Sequence, residues 1–280
     1  MPDQINAYAQ LQTMLHAWRV KRQTVALVPT MGALHQGHLQ LVREAKKHAQ
    51  AVVVSIFVNP TQFGPKEDFA KYPRMLERDI ELLAEEGIDL VWAPSVQEMY
   101  PEGFATLIHV SEVSEGLCGA VRPGHFNGVA TVVMKLLNQI KPDVALFGEK
   151  DYQQLCVIRR LVTDLNVEIE IIGVPTVREK DGLAMSSRNQ YLTAEERKIA
   201  PILHKTLLES AKAIAQGDAI KEVLEEAKQR LLVAGFHKVD YLELREEESL
   251  VPLAQYGVPA RLLVAAHLGA TRLIDNVRVL

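Results

Sequence analysis

The sequence predicts an α/β fold, a Rossmann-like doubly wound parallel sheet with a smaller C-terminal α+β unit. Three observations carry this. Short apolar runs alternate with helix-length amphipathic segments through the first two thirds of the chain, the pattern of βαβ units. Residues 51–58 (AVVVSIFV) are apolar without alternation, as a strand covered on both faces must be. After about residue 177 the texture changes to long helical patterns followed by strands, which reads as a separate α+β unit.

Each element follows in order. Residues 24–29 (TVALVP) form a short buried strand. Residues 38–50 place Leu39, Leu41, Val42, Ala45 and Ala49 at helical spacing. The β-branched run 51–58 is the next strand. Residues 74–86 form an amphipathic helix that Gly87 ends. Short strands are expected at 89–93 and 106–110. A helix at 125–140 stops before Pro142. A strand at 144–147, a helix at 152–165 and a mixed strand at 167–177 complete the first unit. Right-handed crossovers would place helices on both sheet faces. Long helices are expected at 193–216 and 219–234, and strands at 239–244 and 261–268. The boundary is expected near residue 176, dividing 1–176 from 177–280.

The bulk properties exclude several classes. The chain has 280 residues, enough for a substantial core. It is 48% hydrophobic and 24% charged, as ordinary globular proteins are. A net charge of -4 argues against a nucleic-acid partner. Cys118 and Cys156 lack metal-ligand spacing and are expected as reduced, buried thiols. Residues 1–23 lack the basic-then-apolar order of a signal peptide. No uncharged apolar stretch reaches the ~18 residues of a spanning helix. A cytoplasmic location without a membrane partner is expected.

Four groups look chemical. Residues 29–38 (PTMGALHQGH) join the first strand to the first helix, where ligands of open α/β sheets bind. The helix N-terminus is expected to offer free N–H groups to phosphate. Gly32 and Gly37 permit close backbone approach, and His35 and His38 can point the same way. In isolation H-x-G-H equally describes surface histidines, and a zinc pair lacks a third nearby ligand. Residues 59–64 (NPTQFG) follow the β-branched strand and supply the Gln62 amide; a plain turn is the competing reading. Residues 148–154 (GEKDYQQ) open a helix with Lys150 as a point charge and Asp151 as a potential cap. Residues 185–189 (MSSRN) offer hydroxyls and a guanidinium to a polyphosphate, though alone such a stretch more commonly means a flexible linker. Three groups fall at strand ends on one predicted sheet edge; the fourth lies on the loop into the second unit.

Taken in order, PTMGALHQGH, SIFVNPTQF, YPR, RPGHFNGV, FGEKDYQQL and MSSRN resemble the pantoate–β-alanine ligase family. H-x-G-H alone points only to the wider nucleotidyltransferase superfamily, so a nucleotidylyltransferase acting on another small acid or phosphate is the alternative. The resemblance implies a homodimeric ligase that joins (R)-pantoate to β-alanine through a pantoyl-adenylate. It implies that ATP is consumed with Mg²⁺ present, and that AMP and diphosphate are released. It implies ATP contacts at Met31, Gly32, Ala33, Leu34, His35, Gln36, Gly37 and His38. Further ATP contacts are implied at Gly148, Glu149, Lys150, Asp151, Val177, Met185, Ser186, Ser187 and Arg188. His38, Lys150 and Arg188 are the implied catalytic groups. Gln62 and Gln154 are implied to bind pantoate, Gln62 also to reach β-alanine, and Asp79 to stand on the magnesium side.

Overall fold

The computed structural model describes every residue except Lys66 and Asp68. Two compact units emerge. The first comprises 1–111, 122–149 and 157–175; the second comprises 112–121, 150–156 and 176–280.

The first unit is built on a six-stranded parallel sheet. Its strands are β1 (Asp3–Ile5), β2 (Val25–Thr30), β3 (Ala51–Ile56), β4 (Leu90–Trp92), β5 (Val144–Gly148) and β6 (Glu170–Val174). They lie in the order β1-β4-β3-β2-β5-β6. From β2 the chain winds outward through β3 and β4, then returns to β5 on the other side of β2. The β2–β5 pair, with Leu27 opposite Ala145, is therefore the topological switch point. Every residue of β3 is buried, as its unbroken β-branched run requires.

Helices α1 (Tyr8–Val20), α2 (Gln36–His48), α3 (Leu76–Glu85), α4 (Val96–Met99), α5 (Leu117–Val121), α6 (His125–Ile140) and α7 (Tyr152–Asp164) complete this part of the chain. Leu39, Val42 and Ala45 of α2 and Leu83 of α3 pack on Ala26, Val28, Val52 and Val54 of the sheet. Helix α6 runs over the residues expected and ends at Lys141, in the left-handed conformation, just before Pro142. No helix among the described residues is long and apolar enough to cross a membrane.

The second unit contains a three-stranded antiparallel sheet of β7 (Lys238–Glu246), β8 (Ala260–Leu268) and β9 (Thr271–Val279). Leu203, Leu207 and Ile214 join Leu262, Val264, Leu273 and Val277 in one apolar core under this sheet. Helices α8 (Ala194–Ile199), α9 (Ile202–Ala215) and α10 (Ile220–Ala234) supply that cover.

Two expectations need correction, and some elements were not foreseen. Residues 106–110 form no strand; they are mostly exposed, and the Ile108 N–H is taken by the Thr131 hydroxyl at 3.0 Å rather than by a neighbouring strand. The helix expected over 193–216 is two helices, α8 and α9. Pro201 divides them because it has no N–H and its ring crowds the carbonyl four residues back. Strand β9 was not expected: Asp275 interrupts the apolar face that Leu273, Val277 and Val279 otherwise mark. Elements β1 and α1 also escaped, the first because three residues carry no readable period and the second because only Leu11 and Leu15 of it are buried.

Candidate active site

Three neighbouring strands, β3, β2 and β5, each end in one of the predicted motifs. The loop after β2 is tightly built. Gly32 has φ +78° and Ala33 has φ +52°, so the chain doubles back at once after the strand. A Cβ on Gly32 would lie 2.9 Å from Asp79 Oδ2. Asp79 sits in the first turn of α3, is 1% exposed, and accepts from the N–H groups of Ala33 (2.9 Å) and Leu34 (2.8 Å). Burial raises its carboxyl above the ordinary aspartate value, against the lowering effect of these two bonds. Both oxygens thus serve the loop.

The loop and the first turn of α2 take up several of their own N–H groups. Gly32 N–H goes to Thr30 Oγ1, His35 N–H to His38 Nδ1 and Gly37 N–H to His35 Nδ1, at 3.2, 3.3 and 3.1 Å. The His38 N–H returns to the His35 carbonyl at 2.8 Å. His35 and His38 form a reciprocal capping box in which both Nδ1 atoms accept. An accepting Nδ1 carries no proton, so each neutral ring holds its proton on Nε2. The rings lie 4.1 Å apart, centroid to centroid.

At the end of β3, Asn59 organises a 3₁₀ turn over Pro60–Gln62. Its amide donates to Gln62 Oε1 (3.0 Å) and to the Gly128 carbonyl (3.1 Å). Tyr100 OH donates to Asn59 Oδ1 at 2.8 Å. Gln62 is buried, and its Nε2 lies 3.1 Å from Met31 Sδ. The β2 and β3 motifs therefore touch. Helix α6 approaches this turn so closely that a Cβ on Gly128 would lie 2.4 Å from the Thr61 carbonyl oxygen. Phe57, Val132 and Val133 are buried nearby in the chain's apolar interior.

Strand β5 ends at Gly148, and a 3₁₀ turn over Glu149–Asp151 leads into α7. Lys150 Nζ lies 3.6 Å from Asp151 Oδ2. Gln154 is half-buried. Its neighbour Gln153 is buried and ties 113–118 in place: Oε1 accepts from Cys118 N–H at 2.9 Å, and Nε2 donates to the carbonyls of Val113 and Glu115.

Val177 and Met185 face each other across a short hairpin, the Met185 N–H donating to the Val177 carbonyl at 3.0 Å. The hairpin turns at Gly182, whose φ is +92°. Arg178 on it makes a two-pronged pair with Asp275, at 2.7 and 2.9 Å. Burial would raise the Asp275 carboxyl, but His204 and Arg178 hold it below the ordinary aspartate value. Ser186 Oγ then accepts from Arg188 N–H at 3.3 Å and starts the 3₁₀ turn Ser187–Tyr191.

Sequence reading missed Asn59, Arg122, His125, Asp275 and Asn276. The first three had a signal, since they stand inside the motifs NPTQF and RPGHFNGV. The last two had none: polar residues in a C-terminal strand are anonymous until their partners arrive.

Comparisons with known proteins point to one family. The family model described as pantoate-beta-alanine ligase matches residues 3–278. The pantothenate synthetase of Paramagnetospirillum magneticum is 57% identical over 275 residues, covering 98% of this chain and 97% of that protein. The pantothenate synthetase of Dinoroseobacter shibae is 51% identical, with 100% of both chains covered. Among solved structures, pantothenate synthetase from Thermus thermophilus superposes with a TM-score of 0.93 at 50% identity, covering 100% of this chain and 99% of that one. A pantoate-beta-alanine ligase from Francisella tularensis, solved with beta-gamma ATP and beta-alanine, gives 0.84 at 36% identity, covering 99% and 98%. The chain belongs to the pantoate-beta-alanine ligase family.

Proposed function

We propose that this chain condenses pantoate with β-alanine using ATP, through a pantoyl-adenylate. The observation that carries the reading is the delivery of three motifs by β3, β2 and β5 at the switch point of a parallel sheet, where such folds bind ligands. A nucleotidylyltransferase is the weaker reading, because the family match spans nearly the whole chain.

The chemistry follows from charge. A carboxylate is a poor electrophile. Attack of a pantoate oxygen on the α-phosphorus forms an O–P bond and breaks the P–O bond to diphosphate. Negative charge gathers on the phosphates as this happens. The Nε2–H groups of His35 and His38, the Lys150 ammonium and the Arg188 guanidinium are the proposed answering donors. The β-alanine amine then attacks the acyl carbon, a C–N bond forms, AMP leaves and the nitrogen loses a proton. Gln62 and Gln154 are the proposed pantoate contacts, with Gln62 shared by β-alanine. The Val177–Met185 hairpin is proposed to place Ser186, Ser187 and Arg188 on the nucleotide.

Mg²⁺ has no protein-built cage among the described residues, where no group of three or more His, Cys, Asp or Glu side chains could hold a metal. The ion is proposed to arrive on the nucleotide phosphates, and no step is drawn through it. A homodimer and a cytoplasmic location belong to the same proposal and rest on the family resemblance.

The test is AMP release from ATP with pantoate and β-alanine supplied together and singly. AMP release that requires both acid and amine is expected. His38→Ala should slow it by about 10²–10³. Nucleotide left on the product, with no free AMP, would overturn the ligase reading.

A further inference from the structure

Asp275 and Asn276 are consecutive residues of β9, so their side chains leave opposite faces of the strand. Both are buried. On one face Asp275 grips Arg178 of the 177–185 hairpin, and His204 Nδ1 lies 3.3 Å from its carboxylate. On the other face Asn276 uses both ends of its amide. Its Nδ2 donates to the Lys150 carbonyl at 3.0 Å, and its Oδ1 accepts from Arg261 at 2.7 Å. Arg261 is itself fixed, donating to Glu247 at 2.9 Å and stacking 3.8 Å over the ring of Tyr152, two residues beyond Lys150. The Asn276 N–H donates to Asp275 Oδ1 at 2.7 Å, which joins the two anchors.

A buried amide costs stability unless both its ends are satisfied. A strand needing only to pack here would be served by Val or Leu. The amide instead directs its donor to the main chain of Lys150, a residue 126 positions away in sequence. We propose that Asn276 is a positioning residue for the nucleotide step. It fixes the main chain from which Lys150 projects, while Asp275 beside it fixes the hairpin that leads to Arg188. One strand thereby sets both cationic segments. The inference rests on the reading of Lys150 and Arg188 as ATP contacts.

Asn276→Asp separates the two ends of the amide: it keeps an acceptor for Arg261 and deletes the donor to Lys150. The KM for ATP should rise about tenfold, as loss of one buried hydrogen bond implies. The KM for pantoate should stay within about twofold, because only one substrate's binding is altered. The melting temperature should fall, because the Lys150 carbonyl loses its donor and a carboxylate is buried beside Asp275, so the readout is the split between the two KM values. If Asn276→Asp does not fold, Asn276→Ser, which falls short of both Lys150 and Arg261 without adding charge, is read by the same split between the KM values for ATP and pantoate. An unchanged KM for ATP, or ATP and pantoate values rising together, overturns the proposal. Lys150→Ala is measured in parallel. Should it too leave ATP kinetics intact, the assignment of Lys150 fails and takes the proposal with it. Should Lys150→Ala be impaired while the Asn276 variants are not, the positioning role alone fails.

Discussion

His125 donates its Nδ1–H to the main-chain carbonyl of Gln62 at 2.8 Å. Arg122 sets the direction of that bond. Its NH1 stands 3.0 Å from His125 Nε2, and a guanidinium can only donate, so Nε2 accepts and the proton stays on Nδ1. Glu67 holds Arg122 with two contacts of 2.6 Å. Burial works to raise the Glu67 carboxyl, and Arg122 nevertheless keeps it below the ordinary glutamate value. The motif RPGHFNGV thus acts on Gln62 from behind.

The first prediction separates shape from hydrogen bonding at this position. Asn can present a donor where His125 places Nδ1; Leu has a similar shape and no donor. His125→Leu should raise the KM for pantoate about tenfold, and His125→Asn should recover most of that loss. Equal kinetics for the two variants would show that the bond to Gln62 does not matter.

Gly128 allows α6 to touch the turn that carries Gln62. A Cβ there would lie 2.4 Å from the Thr61 oxygen and 2.7 Å from the Gln62 nitrogen, both backbone atoms. Gly128→Ala must displace the turn. A displacement approaching 1 Å at a substrate-positioning group costs about 10²-fold in rate, so kcat/KM for pantoate should fall by about that order. Full activity in Gly128→Ala would mean the turn yields without moving the glutamine.

Asp79 bolts the β2 loop to α3. Asp79→Ala leaves the Ala33 and Leu34 N–H groups without their buried acceptor, which should destabilise the protein by about 2–3 kcal/mol in urea unfolding. The Mg²⁺ concentration that gives half-maximal activity should stay that of the unmodified protein. A selective rise in the Mg²⁺ requirement would instead assign Asp79 a metal-side role.

Asp275 should make the second unit acid-sensitive. Its carboxyl is held below the ordinary aspartate pKa of about 3.9. The folded state therefore binds its proton later than the unfolded state does as pH falls. The stabilisation is complete above about pH 4 and is lost as pH falls through the lowered folded value. Asp275→Asn should be less stable near neutrality by about 3–5 kcal/mol, because Arg178 loses a buried partner. The gap between the two proteins should narrow on acidification below about pH 4. Melting temperatures that run parallel from neutral pH into that acid range would contradict this.

Neither thiol forms a disulfide, and both are buried. Cys118 Sγ lies 3.1 Å from Tyr241 OH and 3.6 Å from Arg272. A thiol reagent should label the native protein slowly and label both cysteines after denaturation. Rapid native labelling at both positions would contradict their burial.

Much of the site was legible before folding, and the reason is local. The loop 29–38 sits between a strand and a helix that apolar period alone reveals, so its place at a carboxyl end follows. Within that loop, however, the hydrogen bonding was not legible. The N–H groups of Gly32, Ala33, Leu34, His35 and Gly37 are taken up internally. Whether a given N–H is free depends on what arrives beside it, here Asp79 from 45 or more residues away.

The chain's own pattern decides the alternation of strands and helices, the strand ends at which the motifs stand, and the residue types able to meet a polyphosphate. These depend on neighbours within one turn or one strand, where spacing is enough. Folding alone decides that Asp275 and Asn276 brace the hairpin and Lys150, that His125 rather than Asn127 reaches Gln62, and that Asp79 serves a loop. Those assignments come from pairings between residues far apart in sequence, and a buried polar side chain has no identity until its partner is in place.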